Sequence, residues 1–264
     1  MTLDAGRAAK PAWYALAIYT LMYVANNIDR SVMAIVVEPV RKEFALNDSQ
    51  MGVLTGLAFA LTYSIAGLPI GYLIDRVNRR NLLAGLVTVW SAFTVLCGVV
   101  SSSWGLVVAR LAVGASEAGG APAALSLISD LFPGKTRSMA LSIFWSSTAI
   151  GTAVSFVIGS YVAVEYGWRA AFLIAGAPGL AIAALLLFTT SEPRRGAMDA
   201  GGGETTPAPT IGETAQYILA RPALVHALIG VGFSAVMLSG ILVWAVSFFV
   251  RTHGLELTRA GLIV

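Results

Sequence analysis

The chain has 264 residues, of which 57% are hydrophobic and only 12% charged, and its mean hydropathy is +0.77. A soluble domain carries about 25% charged residues, so this composition excludes one and identifies an integral membrane protein. A net charge of +3 speaks for membrane orientation rather than nucleic acid; the single Cys97 excludes an intrachain disulfide, and His226 and His253 lack metal-ligand spacing, so no metal or cofactor is expected.

The predicted elements are all helical and membrane-spanning. Met1–Lys10 is a polar tail, and the apolar stretch after Arg7 and Lys10 runs on to Ile28 with no A-x-A site, so it reads as span 1 rather than a signal peptide. Span 1 (11–37) holds Asn26, Asn27 and a charged pair, Asp29–Arg30. Span 2 (50–73) has small residues every four positions, Gly52, Gly56, Ala60 and Ser64, a ridge suited to close helix packing. A charged turn at 75–81 leads to span 3 (82–100). Span 4 (104–131) carries Arg110 and Glu117, seven residues or about 10 Å apart, so both leave one helix face. Such charges are expensive in hydrocarbon and must look into protein or a water-filled cavity. Gly114, Ala115 and Ser116 between them admit a close neighbour, and Gly119, Gly120 and Pro122 predict a bend.

Span 5 (139–164) repeats the small-residue ridge in Gly151, Ser155 and Gly159, and span 6 (170–189) follows a short turn. Ser191–Thr210 is rich in Gly, Pro, Thr and charge, which predicts a flexible linker; 211–220 has the spacing of a short surface helix. Span 7 (222–250) precedes a further apolar run, Ala260–Val264, which is expected to continue into another span. The organisation expected is a six-helix bundle over 1–190, a linker with its surface helix over 191–221, and the start of a second bundle over 222–264. Of the 17 Lys and Arg, ten fall at the end carrying the N-terminus, five at the opposite end, and Arg30 and Arg110 lie within the membrane. The positive-inside rule then puts the N-terminus and linker in the cytoplasm, in a cell inner (plasma) membrane.

The stretch Gly71-Tyr-Leu-Ile-Asp75-Arg76-Val-Asn78-Arg79-Arg80-Asn-Leu-Leu83 resembles the signature G-x-L-x-D-R-x-G-R-R-x-x-L of major facilitator superfamily transporters. Asn78 stands where glycine is usual; asparagine tolerates a left-handed backbone, so the turn is expected to survive. Arg110-x-x-x-Gly114 and Gly167-Trp168-Arg169 with Phe172 resemble further motifs of spans 4 and 6. Asn27-Ile-Asp29-Arg30-Ser31, with Gly52–Ala60 and Arg110 to Ala118, resembles the Spinster-type branch. The resemblance implies a twelve-span fold in two halves, about half of it missing here, and secondary active transport. Eukaryotic Spinster members are associated with export of sphingosine phosphate or lysophospholipids, which implies a small-molecule or lipid-like substrate among membrane lipids. It also implies a cytoplasmic gate formed by Gly71, Asp75, Arg76, Arg79 and Arg80, with Asp75 capping a helix of the other half and pairing with nearby arginines when the transporter faces outward; Asp130, at the cytoplasmic end of span 4, either joins that network or is an ordinary interfacial charge. The antiporter signature of span 5 is absent around Gly151–Gly159, so drug–proton antiport loses that support.

Spans 1 and 4 line the central cavity in this family, so Asp29, Arg30, Arg110 and Glu117 are expected to converge there. Buried acids beside arginines can exchange a proton as the cavity changes sides, and Arg110 then serves as counter-ion or anion hook. Other readings are a static ion pair between helices, or an organic-anion/proton symporter in which Arg110 grips the anion. An intramembrane enzyme using Ser116 lacks a base, as no histidine lies in spans 1–6. A channel leaves the linker, surface helix and charged turn unexplained.

Overall fold

A computed structural model describes residues 10–198 and 210–264, and among these there are helices and turns but no strand. α1 (Lys10–Ile35) breaks at Val36 into the short α2 (Val37–Glu43). α3 (Asp48–Ile74) starts at a capping box, in which Asn47 Oδ1 accepts from the Gln50 amide and Gln50 Oε1 accepts from the Asn47 amide. α4 (Arg79–Cys97), α5 (Ser103–Glu117) and α6 (Gly120–Leu131) come next. The bend expected in span 4 separates α5 from α6 at Ala118–Gly119. α7 (Gly134–Glu165), α8 (Trp168–Thr189), α9 (Ile211–Leu219), α10 (Pro222–His253) and α11 (Leu257–Ile263) complete the order.

Among the described residues six helical segments are long and apolar enough to cross a membrane: α3, α4, α5 with α6, α7, α8 and α10. α1 is also long but carries Asn26, Asn27, Asp29 and Arg30, and it is the most enclosed helix, packed between α7 and α8. Enclosure is what allows those polar groups to stay out of lipid. The bundle has a proximal end, where α1 begins, and a distal end, where α2 lies.

Small residues set the spacings. On α7 a Cβ added at Gly151 would lie 2.6 Å from the Val24 carbonyl oxygen and 2.8 Å from Asn27 Cβ, and Ser155 donates to the Ile28 carbonyl at 3.1 Å. That ridge therefore seats α1. Gly114 of α5 meets the Phe59 carbonyl and Thr62 of α3 in the same way. The ridge expected on span 2 behaves otherwise: nothing lies within 4 Å of a Cβ at Gly52, Gly56, Gly67 or Gly71, so this face has no close neighbour among the described residues. Periodicity located the ridge but could not say which side a partner occupies.

The buried apolar residues form two clusters. The proximal one takes Ala12 to Ala25 of α1 with Trp90, Val113 and Leu127; the distal one takes Val32 to Val40 with Leu106, Ala109 and Phe172. Between them α1 contributes Asn26, Asn27 and Asp29, all buried. The core is thus two oil layers with a charged layer between.

Gly167, at φ 84, makes the left-handed turn that starts α8, a conformation open to glycine at little cost. It brings Trp168 Nε1 and Arg169 Nη1 to Glu43 Oε2, at 2.6 and 2.8 Å. The first two-thirds of α10 is exposed, with Val231, Phe233 and Val236 all more than 65% accessible. Its last turns are fastened at the distal end, where Arg251 donates to Glu38 at 2.6 Å and, through both terminal nitrogens, to Asp48 at 2.8 and 2.9 Å. α9 is capped by Thr210 and Glu213 and is exposed along the side chains described.

Candidate functional site

Four charges meet in the middle layer. Arg30 Nε donates to Glu117 Oε2 at 2.6 Å, and Arg110 Nη1 stands 3.9 Å from Asp29 Oδ1. The acids of spans 1 and 4 are thus each matched to an arginine of the other span, although Arg110 and Glu117 share a face of one helix. Asp29, Arg110 and Glu117 are at most 2% exposed, while the Arg30 side chain is 32% exposed and opens outward from the layer. The Arg30 guanidinium lies over the rings of Tyr63 and Phe59 at 4.7 and 5.2 Å, and Arg110 lies over Phe59 at 5.3 Å. These α3 aromatics supply the negative faces that hold cations within an apolar wall.

The layer is incompletely bonded. Asp29 Oδ1, Glu117 Oε1, Arg110 Nε and Nη1, and both amide atoms of Asn26 are buried with no hydrogen-bond partner among the described residues. Thr94 of α4, fully buried, donates to Asp29 Oδ2 at 2.5 Å. Two acids and two arginines balance when both acids are ionised, and taking up one proton leaves one unit of positive charge in hydrocarbon. An arrangement of this kind is sensitive to protonation and to anions.

The second set of expected residues lies at the proximal end. Arg79 is 1% exposed and saturates its guanidinium: Nη1 reaches Asp130 Oδ2 at 2.5 Å and Ser126 Oγ at 2.8 Å, Nε reaches Glu192 Oε1 at 2.8 Å, and Nη2 reaches the Pro193 carbonyl at 3.0 Å. The Arg80 amide takes the other oxygen of Glu192 at 2.8 Å, and its side chain reaches the Thr190 carbonyl. Arg195 closes the web on the carbonyls of Ile74 and Val77, and Gly196 N–H on Asp130. Residues 192–196, at the start of the stretch expected to be a flexible linker, are therefore bound to the charged turn; 199–209 of that stretch, and Arg7 in the tail, lie outside the described residues.

Arg76 lies over Tyr72 at the surface, and Asp75 is exposed with no hydrogen bond or ion pair among the described residues. Gly71 has open space around it. The signature thus divides: Arg79, Arg80 and Asp130 join one web, while Gly71, Asp75 and Arg76 stand outside it. Asn78 also differs from expectation. Its φ is −66 and ψ 111, not left-handed, and its side chain accepts from the Asn81 amide at 2.8 Å as the N-cap of α4.

Thr94, Glu192, Tyr63 and Phe59 were not singled out from sequence. Phe59 and Tyr63 had a signal, an aromatic pair at i, i+4 on one helix face. Glu192 had another, an acid just past a span end on the side of the arginine turn. Thr94 had none, being one hydroxyl in an apolar helix.

Comparison with known proteins agrees with this architecture. The Major Facilitator Superfamily model matches residues 19–264. A crystal structure of a bacterial homologue of the human lysosomal transporter Spinster, inward-facing and unoccupied, superposes with a TM-score of 0.86 at 32% identity, over 97% of this chain and 59% of that one. An MFS-type efflux pump of Mycolicibacterium smegmatis is 28% identical, over 95% of this chain and 57% of its own. The sphingosine-1-phosphate transporter SPNS2 of Danio rerio is 33% identical, over 72% and 38% respectively. The chain spans about half the length of the curated relatives it matches, or less. With its all-helical bundle and buried charged layer, the chain belongs to the major facilitator superfamily of multi-pass membrane transporters, a family of carriers and not of enzymes, and within it is Spinster-like.

Proposed function

We propose that the transporter moves a small amphiphilic, lipid-like molecule by alternating access, coupled to protons exchanged at Asp29 and Glu117. The observation that carries this reading is the incompletely bonded charged layer: two buried acids each retain an oxygen with no hydrogen bond among the described residues. A buried carboxylate facing an arginine is held near the balance between its two protonation states, and whichever side the cavity opens to can tip it. The lipid-like substrate is supported by the similarity to SPNS2, whose name states sphingosine-1-phosphate transport. Residues 1–190 form the first bundle in this reading, 191–221 the linker with its surface helix, and 222–264 the start of the second bundle. The excess of Lys and Arg at the proximal end supports placing the N-terminus in the cytoplasm and the protein in the inner (plasma) membrane.

Organic-anion/proton symport is a second reading, and one observation bears on it. Arg110 is sealed against Phe59, whereas Arg30 is partly open. An anion would therefore be gripped by Arg30, rather than by Arg110 as the spacing alone suggested.

The test is full-length protein in proteoliposomes, offered a fluorescent lysophospholipid and simple organic acids under an imposed pH gradient. We expect gradient-driven movement of the lysophospholipid, abolished by Asp29→Asn or Glu117→Gln, while exchange at equal pH partly survives. Accumulation that ignores the gradient, or that persists with normal pH dependence in both variants, would overturn the proton-coupled reading.

A further inference from the structure

We propose that Thr94 is the positioning residue for Asp29: it holds Oδ2 by a hydrogen bond between helices and leaves Oδ1, the oxygen beside Arg110, as the one that exchanges the proton. This rests on the reading of Asp29 given above and assigns the roles of its two oxygens.

The first ground is what Thr94 does differently from its peers. A threonine within a helix ordinarily gives its hydroxyl to the carbonyl one turn back. Thr55, Thr62 and Thr88 do so, to Met51, Ala58 and Ala84, at 2.8, 3.0 and 2.8 Å. Thr94 instead crosses from α4 to α1 and donates to Asp29 Oδ2 at 2.5 Å. A hydroxyl donating to a carboxylate makes a short, charge-assisted bond, worth roughly twice a neutral one.

The second ground is how firmly Thr94 is held. A Cβ at Gly176 of α8 would lie 2.8 Å from the Ser91 carbonyl, 2.9 Å from the Val95 amide and 3.0 Å from Thr94 Cβ. The backbone of α8 thus rests on the turn of α4 that carries Thr94, and on the opposite side of α1 Gly151 abuts Asn27. Among the described residues the Asp29 carboxylate is hydrogen-bonded at one oxygen only. Oδ1 has no hydrogen bond among the described residues.

The charged and titratable groups around Asp29 are Arg30 on its own helix, Cys97 on α4, Arg110 and Glu117 on α5, and Tyr63 on α3 beside Arg30. The buried polar side chains of α7 are serines, and the nearest such group on the α8 side is Thr190, just past the proximal end of that helix. Among the described residues Thr94 is the one neutral donor to the carboxylate, so its removal changes the site without changing its charge.

The experiment measures lysophospholipid transport by full-length protein in proteoliposomes as a function of pH, for the wild type and for Thr94→Val, Thr94→Ser and Thr88→Val. Valine keeps the shape and loses the donor. We expect the half-maximal pH of Thr94→Val to move upward by about one to two units, since the carboxylate loses a charge-assisted bond. Thr94→Ser should restore the wild-type curve, and Thr88→Val should leave it unmoved. If the valine variant is not recovered folded, Thr94→Ala removes the same hydroxyl and is read by the same curve. A wild-type curve from the donor-less variant, or equal shifts from Thr88→Val, overturns the assignment. If Asp29→Asn itself leaves gradient-driven transport intact, the reading of Asp29 fails first, and the role of Thr94 fails with it.

Discussion

Two nests of buried charge flank span 4, and they are built in opposite ways. Around Arg79 every guanidinium nitrogen has an acceptor: Asp130 and Ser126 at one, Glu192 at another, the Pro193 carbonyl at the third. Around Arg110 there is a single ion contact at 3.9 Å, and two nitrogens have no hydrogen-bond partner among the described residues. A buried charge loses its hydration in either place, but only the first nest replaces it fully. In the proposed reading, the degree of bonding, more than the presence of charge, separates a joint from a working site. A saturated arginine pins a turn; an unsaturated one stays responsive to whatever enters.

Substitution tests that contrast most directly. Arg79→Ala takes the guanidinium from Asp130 and Glu192 at once, leaving each with a backbone donor only, and should reduce stability by about 3–5 kcal/mol. Arg110→Ala removes one long contact and should cost less in stability, about 1–3 kcal/mol, while weakening both gradient-driven transport and exchange. Thermal melting of the detergent-solubilised variants, alongside proteoliposome transport, reads both. A reversed order, with Arg110→Ala melting lower than Arg79→Ala, would break the comparison.

Asp75 sharpens it from another side. It belongs to the same signature as Arg79 yet has no partner among the described residues. Asp75→Asn should therefore leave melting within about 0.5 kcal/mol of the wild type. If it caps a helix of the second half, as the family resemblance implies, spin-label distances across the proximal mouth should shift toward the inward-open population. An unchanged distribution would leave Asp75 as a plain surface charge.

Another small effect belongs to an exposed pair at the distal end. Hydrogen bonds from Trp168 and then Arg169 hold the Glu43 carboxyl below the usual carboxylate range. A group lowered on folding contributes stability above its unfolded value near about 4.3, and that contribution is lost as pH falls through the lowered value. Glu43→Gln should thus cost under about 1 kcal/mol at neutral pH and nothing in strong acid. Melting curves of both proteins from neutral to acid pH should converge; a constant gap would mean that packing, not charge, sets the difference.

Much of this was legible in the sequence because membranes make chemistry conspicuous. Asp29, Arg30, Arg110 and Glu117 stand out in apolar runs, and helical periodicity puts two of them on one face. The bend after Glu117 followed from Gly119 and Gly120. The cross-pairing of Arg30 with Glu117 was not legible, because it depends on how α1 is rotated against α5, which the periodicity of either helix alone does not give. Thr94 was hidden because a threonine's target, its own helix or a neighbour, is decided by distance alone. Glu192 looked like the start of a linker, since the Gly- and Pro-rich residues after it dominate the local composition and mask a single acid.

Arg251 has a mechanical consequence. α10 has 32 residues, about 48 Å of helix, and is gripped at its distal tip by Glu38 and Asp48 while most of its shaft is bare. The grip is ionic and partly open to solvent, so dissolved salt weakens it. The fastening of this helix end to Glu38 and Asp48 should therefore loosen as ionic strength rises.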